Sequence, residues 1–392
     1  MKKRPEYWED PLMIGENKED GHIVALPYDS PEQAAAREES PYKMSLNGNW
    51  RFFWQEDLSS FERDYIRADF DDSGWEKTPV PSLWQLQGYG KPIYLCNSYP
   101  SALNVKKSKI PRIDQKLNEL GVYRRTFTLP KGWTGKEVFL HFGAVKAGFF
   151  VYLNGEKVGY SQGSMTPAEF RVTKYLKSGE NQITAEVFRY TDGTYLEDQD
   201  MWFLSGIYRE VYLYAEDKVS IRDFYPRATL DEEYKDGLLN LEVALQNDTE
   251  TSLPVSLEIR LYDNGVEKII AAQSVVAAPG INTVNLTHRE ENVRQWSAEV
   301  PNLYGLGLTL KQGDEIKSCK YVRIGFKSVE IKGNVLMING RRVIIKGVNR
   351  HDFDPDHGWA VPREKYYQDL YLMKRANINS IRTSHYPDDL LF

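Results

Sequence analysis

The sequence predicts a mainly β, multidomain protein: a jelly-roll β-sandwich, then an immunoglobulin-like β-sandwich, then the first βαβ unit of a truncated TIM barrel. Three observations carry that expectation. From Ser45 to about Glu216, short stretches of alternating apolar and polar residues recur between turn residues. A second series of the same kind runs from Asp217 to about Gly333. After that the period changes, and a strand, a helix and a strand follow one another up to Phe392. The domains expected are an extended N-terminal arm over 1–43, the jelly roll over 44–217, the immunoglobulin-like sandwich over 218–333 and an incomplete (β/α)8 barrel over 334–392.

Composition bounds the function. The chain has 392 residues, 41% hydrophobic and 27% charged, which is globular and long enough for several cores. A net charge of −6 argues against a nucleic-acid or anionic-membrane surface. Aromatic residues make up 13%, which suits β-rich structure and, as the sharper alternative, carbohydrate stacking. Two cysteines, Cys96 and Cys319, can form neither a disulfide framework nor a zinc cluster. The first ten residues lack the apolar run of a secretory signal, and no stretch approaches the roughly 20 apolar residues of a membrane span. A soluble cytoplasmic protein, with no nucleic-acid or membrane partner, is the expectation.

The elements follow in order. Residues 1–43 are polar and punctuated by proline, with one short helix expected from Pro31 to Arg37. In the jelly roll, Val122–Leu129, Val138–Phe142, Phe149–Leu153, Ile183–Phe188 and Tyr208–Tyr214 read as strands. Asn154-Gly155 after Phe149–Leu153 is a strong hairpin signal. In the second sandwich, Leu239–Leu245 and Val255–Tyr262 alternate cleanly, Asn264-Gly265 turns the chain, and strands are expected at Leu306–Leu310 and Tyr321–Phe326. Another Asn-Gly turn, at Asn339-Gly340, leads into Val343-Ile344-Ile345, an apolar run of the kind buried on both faces of a parallel sheet. A helix beginning near Pro362 would turn Tyr366, Leu370, Met373 and Asn377 inward, and Ile378–Arg382 is the second strand.

In βα barrels the reactive groups gather at the carboxyl ends of strands. Asn349-Arg350-His351 and Arg382-Thr383-Ser384-His385 occupy that position on successive strands, which would aim two imidazoles into one mouth; the plain alternative is two structural histidines. The loop Asp352–Gly358 has the aspartate spacing of a calcium loop, but His357 stands where glycine is needed and Arg363 where glutamate is needed, so calcium is not expected there. Thr191–Trp202 sets four carboxylates beside bulky apolar groups. Carboxylates that accept sugar hydroxyls or bind a hard cation would explain it, and so would a packed corner of the jelly roll.

The chain resembles the family-2 glycoside hydrolases, in their large bacterial β-galactosidase branch. The resemblance runs through Leu46–Trp50, Pro81–Gln85, Asp192–Trp202, Trp296–Tyr304, Gly347–His351 and Arg382–Pro387. It implies an N-terminal part of a retaining enzyme acting on terminal non-reducing β-D-galactosides of the lactose type, and a homo-oligomeric full-length protein. It implies that Asp200 reaches from the jelly roll into the barrel mouth, contacts galactose and helps hold Na+, and that His351 and His385 bind sugar hydroxyls. Arg382 would support the nucleophile. The asparagine the family carries in the aromatic loop falls on Cys96, and Asn97 beside it is taken as the substrate-binding residue. The resemblance places the acid/base and nucleophile glutamates, and the Mg2+ ligands, beyond Phe392, so the chain alone is expected to be inactive. The rival expectations are a non-catalytic carbohydrate-binding module and a subunit completed by a partner chain.

Overall fold

The structure, a computed structural model, describes residues 6–59, 62–96, 99–103, 110–197 and 200–392. Two antiparallel sheets form the first domain. One has seven strands, ordered Gly15–Glu16, Glu156–Gln162, Gly148–Leu153, Glu180–Phe188, Leu120–Thr128, Gly48–Gln55 and Glu76–Val80; the other has four, Ala168–Arg171, Glu137–Phe142, Val211–Glu216 and Lys43–Ser45. Their facing residues, among them Trp50, Phe142, Phe149 and Phe170, alternate inward and build one core with aliphatic neighbours and with Trp84 from the turn after Glu76–Val80. The expected hairpin is present: Asn154 and Gly155 take φ of 55° and 89°, the left-handed pair that joins tightly paired strands.

The second domain has three strands on one sheet and four on the other, the seven expected. Its core is aliphatic, with Leu241, Val243, Leu257, Ile259, Leu306 and Leu308 at alternate positions. The sandwiches meet at a buried ion pair, Lys320 Nζ to Glu216 Oε1 at 2.7 Å. Burial pushes the Glu216 carboxyl up, and Lys320 opposes it.

The arm contains the expected short helix, Pro31–Ala36, capped by Ser30. It is tied to both sandwiches. Gly15–Glu16 adds an edge strand to the seven-stranded sheet. His22 Nε2 lies 2.8 Å from Glu169 Oε1 of the jelly roll, and the Ile23 N–H donates to Asp223 of the second domain at 2.9 Å.

The third unit begins with a three-strand meander, Val329–Lys332, Val335–Ile338 and Arg341–Arg342, turning at Asn339 and Gly340 with φ of 50° and 70°. Then come Gly347–Arg350, the helix Arg363–Arg375 and Ser380–Thr383; the two strands pair in parallel. Three details depart from expectation. The strand starts at Gly347, not at Val343. Ile344 and Ile345 are 63% and 62% exposed; they face an open concavity of about 900 Å³ shared with Trp296 and Val293 of the second sandwich, because no layer of the described residues covers that side. Of the helix's expected inner face only Tyr366 is buried, while Leu370 is 37% exposed; Asn377 ends the helix in the left-handed region as expected.

Candidate functional site

Parallel pairing sets the two histidines side by side. Gly347 to Arg350 align with Ser380 to Thr383 residue for residue, and the Ser384 N–H extends the ladder by donating to the Arg350 carbonyl at 2.7 Å. Both chains then turn out of the sheet at the same level. The His351 and His385 rings stand 5.7 Å apart at 88°, edge to face. His351 Nδ1 lies 3.4 Å from the Tyr386 hydroxyl. Partial burial and the neighbouring His385 hold the His351 imidazole below its usual pKa, and Asp200 opposes that shift, which favours the neutral ring.

Asp200 reaches the same place from the jelly roll. The aromatic loop and the acidic loop form a two-stranded antiparallel ribbon, Ile93–Leu95 against Met201–Phe203, with Tyr94 opposite Trp202 and their rings 5.4 Å apart. Asp200 enters the ribbon with a positive φ of 49°, a conformation aspartate tolerates better than most residues. The Tyr94 hydroxyl donates to Asp200 Oδ1 at 2.5 Å. The other carboxylates of this loop have different work. Glu197 accepts from the Ser164 N–H and hydroxyl at 3.0 and 2.6 Å and lies 3.5 Å from the buried Lys146 ammonium. Asp192 is buried, where desolvation raises its pKa, and accepts from the Gly193 N–H. Asp198 lies outside the described residues.

A cavity of about 230 Å³ lies between these parts, lined by Tyr94, Asp200 and Trp202 from the jelly roll and by His351, Trp359 and Tyr386 from the third unit. Its floor is an apolar cluster that crosses the boundary: Leu83, Met165, Leu204 and Tyr208 from one side, Trp359 and Tyr386 from the other. Gly358 permits that contact. A Cβ there would sit 2.5 Å from Leu83 Cδ1, and φ is +61°. The aspartates of the Asp352–Gly358 loop are engaged within the protein. Asp354 accepts from the Asp356 and His357 N–H groups, and Asp352 is buried among Arg350, Arg209 and the Tyr366 hydroxyl. Arg350 also holds Asp388, whose carboxyl is pushed up to about 6 by burial and by Asp352 beside it.

The structure therefore brings Asp200 and His351 to one cavity and sets His385 against His351. Arg382, paired across the ladder with Asn349, is exposed outside the cavity lining, and Asn97 lies outside the described residues. Sequence reasoning missed Tyr94, Trp359 and Tyr386 as lining groups. Tyr94 had a usable signal, two residues before Cys96 in the aromatic loop. Trp359 had none, because its role depends on docking across the domain boundary.

Three family descriptions match the chain in succession from residue 43 to residue 392. Residues 43–217 match "Glycosyl hydrolases family 2, sugar binding domain", residues 219–327 "Glycosyl hydrolases family 2", and residues 329–392 "Glycosyl hydrolases family 2, TIM barrel domain". Among curated relatives, a β-galactosidase of Priestia megaterium is 40% identical over 98% of this chain and 38% of its own length. One of Clostridium acetobutylicum is 34% identical over 99% of this chain and 42% of its own length. The chain thus spans about two fifths of the relatives it matches. Among solved structures, a β-glucuronidase of Bacteroides uniformis superposes with a TM-score of 0.74 at 23% identity, over 89% of this chain and 40% of that one. A putative β-galactosidase of Bacteroides fragilis gives 0.72, also at 23% identity, over 89% and 50%. At that identity the likeness concerns the fold.

Proposed function

The chain belongs to glycosyl hydrolase family 2, and on that premise we propose that it is the N-terminal part of a retaining β-galactosidase and supplies the half of the site that holds the sugar. The observation that carries this reading is that Asp200 of the jelly roll and His351 of the barrel strand line one cavity. Each group suits a sugar hydroxyl. The Asp200 carboxylate accepts, with one oxygen fixed by Tyr94 and the other left for a ligand. A neutral His351 ring both donates and accepts, and His385 extends the polar edge at 5.7 Å. Tyr94 and Trp202 offer a half-exposed aromatic wall to the apolar face of a pyranose.

Retaining cleavage needs an acid/base and a nucleophilic carboxylate about 5–5.5 Å apart. Among the described residues Asp200 is the one carboxylate lining the cavity, so this chain binds and orients while the bond-breaking pair comes from elsewhere in the barrel. Arg382, exposed at the strand end, is the group we assign to steady the nucleophile. Sodium or magnesium does not fit the described residues as a whole site: no group of three or more His, Cys, Asp or Glu gathers among them, and Asp200 would give a cation one oxygen. No step is assigned to either ion.

The test is to titrate the purified chain with isopropyl β-D-thiogalactoside and, separately, with its gluco epimer and a β-glucuronide, following the imidazole signals of His351 and His385. Saturable shifts with the galactoside alone are expected, together with no hydrolysis of nitrophenyl β-galactoside. Equal binding of all three, or turnover by the chain alone, would overturn the proposal.

A further inference from the structure

We propose that Arg209 of the jelly roll is a positioning residue that holds both histidine-bearing turns of the third unit in register, so that the first domain sets the geometry of the imidazole pair. The inference rests on the proposed sugar site for its consequence and on the contacts alone for its geometry. Arg209 lies just before the strand Val211–Glu216 and is only 6% exposed. Its guanidinium points out of the jelly roll and reaches both turns. Nη2 donates to the Pro387 carbonyl at 2.7 Å, two residues after His385, and to Asp352 Oδ2 at 3.3 Å, one residue after His351. Nη1 donates to the Met165 carbonyl at 3.1 Å, which fixes the fork to its own domain. Asp352 Oδ2 also accepts from the Asp389 N–H at 3.2 Å, so this carboxylate ties the second turn to the first, and Arg209 spans both.

The groups facing this cluster define what the arginine does. Arg350 and the Tyr366 hydroxyl hold Asp352 from the third unit, and Asp389 lies 3.8 Å from Arg209 Nε. These contacts come from the strand, helix and closing turn of one unit, and Arg209 is the donor supplied by the other domain. A planar guanidinium can satisfy a carbonyl on one turn, a carboxylate on the other and a third carbonyl behind it in fixed directions; an ammonium, with one nitrogen, cannot reach all three. Without the fork the turns stay joined through Asp352 and docked through the apolar cluster, but they lose the directional tie from the jelly roll that sets their height relative to Asp200.

The experiment compares the wild-type chain with Arg209→Lys, which keeps the charge and removes the fork, and with Arg124→Lys, which alters another buried arginine, on the seven-stranded sheet, whose guanidinium bonds to Phe70, Asp72 and Arg67 and not to these turns. The readouts are the His351 and His385 imidazole signals and their mutual cross-relaxation without ligand, the thiogalactoside affinity, and amide protection of the two sandwiches. Arg209→Lys is expected to shift both imidazoles, weaken their cross-relaxation and reduce affinity at least tenfold with sandwich protection unchanged; Arg124→Lys should move neither imidazole. Unmoved imidazoles in a folded Arg209→Lys chain would overturn the inference. Should that variant not fold, the wild-type Arg209 Nε–H resonance decides: slow exchange and a shift on thiogalactoside saturation support the inference, and rapid exchange with no shift overturns it. A wild-type chain that binds no galactoside would sink the sugar-site reading, while the ligand-free imidazole comparison would still test this one.

Discussion

Trp359→Ala should release the third unit from the jelly roll without unfolding either sandwich. Trp359 is 2% exposed and lies in the apolar cluster shared by the two domains. Its ring stands 5.5 Å from that of Tyr208, and the buried Lys146 ammonium lies 5.0 Å from its centroid. Truncating a buried tryptophan costs about 3–5 kcal/mol. The lost cation–π contact is itself worth up to about 2 kcal/mol when desolvated, which places this site in the upper half of that range. At roughly 1.4 kcal/mol per decade, a cost of about 4–5 kcal/mol lowers the docking equilibrium by about three to three and a half orders of magnitude. Hydrogen exchange by peptide mapping reads this directly. Protection across 347–360 and 380–392 should drop by at least about 100-fold, while peptides from 237–263 and 304–324 keep theirs. Unchanged protection over 347–392 would refute the reasoning, because it would mean the cross-domain cluster does not hold the unit.

Other perturbations give distinct signatures. Lys320→Met should destabilise the chain by about 3–5 kcal/mol, since it strands the buried Glu216 carboxylate between the sandwiches; an unchanged denaturation midpoint would count against that pair. Asp388 is pushed up to about 6, above its unfolded value near 3.9. Its contribution to stability is therefore fully present below about pH 4 and lost as pH rises through 6. Asp388→Asn should gain on wild type in melting temperature from pH 4 to pH 7, and a difference that stays flat across that window would contradict it. Tyr94→Phe removes the donor to Asp200 Oδ1 and should weaken thiogalactoside binding about threefold to tenfold by calorimetry, without changing the melting temperature.

Much of this architecture was legible from residue order. Alternation along Leu239–Leu245 and Val255–Tyr262 placed strands because one face of each is buried, and Asn-Gly at 154, 264 and 339 marked turns because that pair accepts positive φ. The spacing of His351 and His385 was legible because one βα repeat separates them, and parallel pairing puts equivalent positions level. Other features were hidden. The apolar run Val343–Ile345 reads as a buried strand, yet its burial depends on which layers cover it, and that information is absent from the run itself. Within the acidic loop the family resemblance singled out Asp200, which faces the cavity, but composition alone could not separate it from Glu197, which anchors the loop on Ser164 and Lys146. Arg209, Trp359 and Tyr386 act through contacts between domains more than 140 residues apart in places, beyond the reach of any local pattern.

The most direct measurement is a thiogalactoside titration of the wild-type and Asp200→Asn chains, followed at the His351 and His385 imidazoles. If one ligand is held jointly by the jelly roll and the barrel strands, the wild type gives a saturable shift at both histidines. The midpoint then moves at least tenfold higher in Asp200→Asn while amide protection of both sandwiches is preserved. The same midpoint in both proteins would contradict the account, because the histidines would then bind sugar without the first domain's carboxylate.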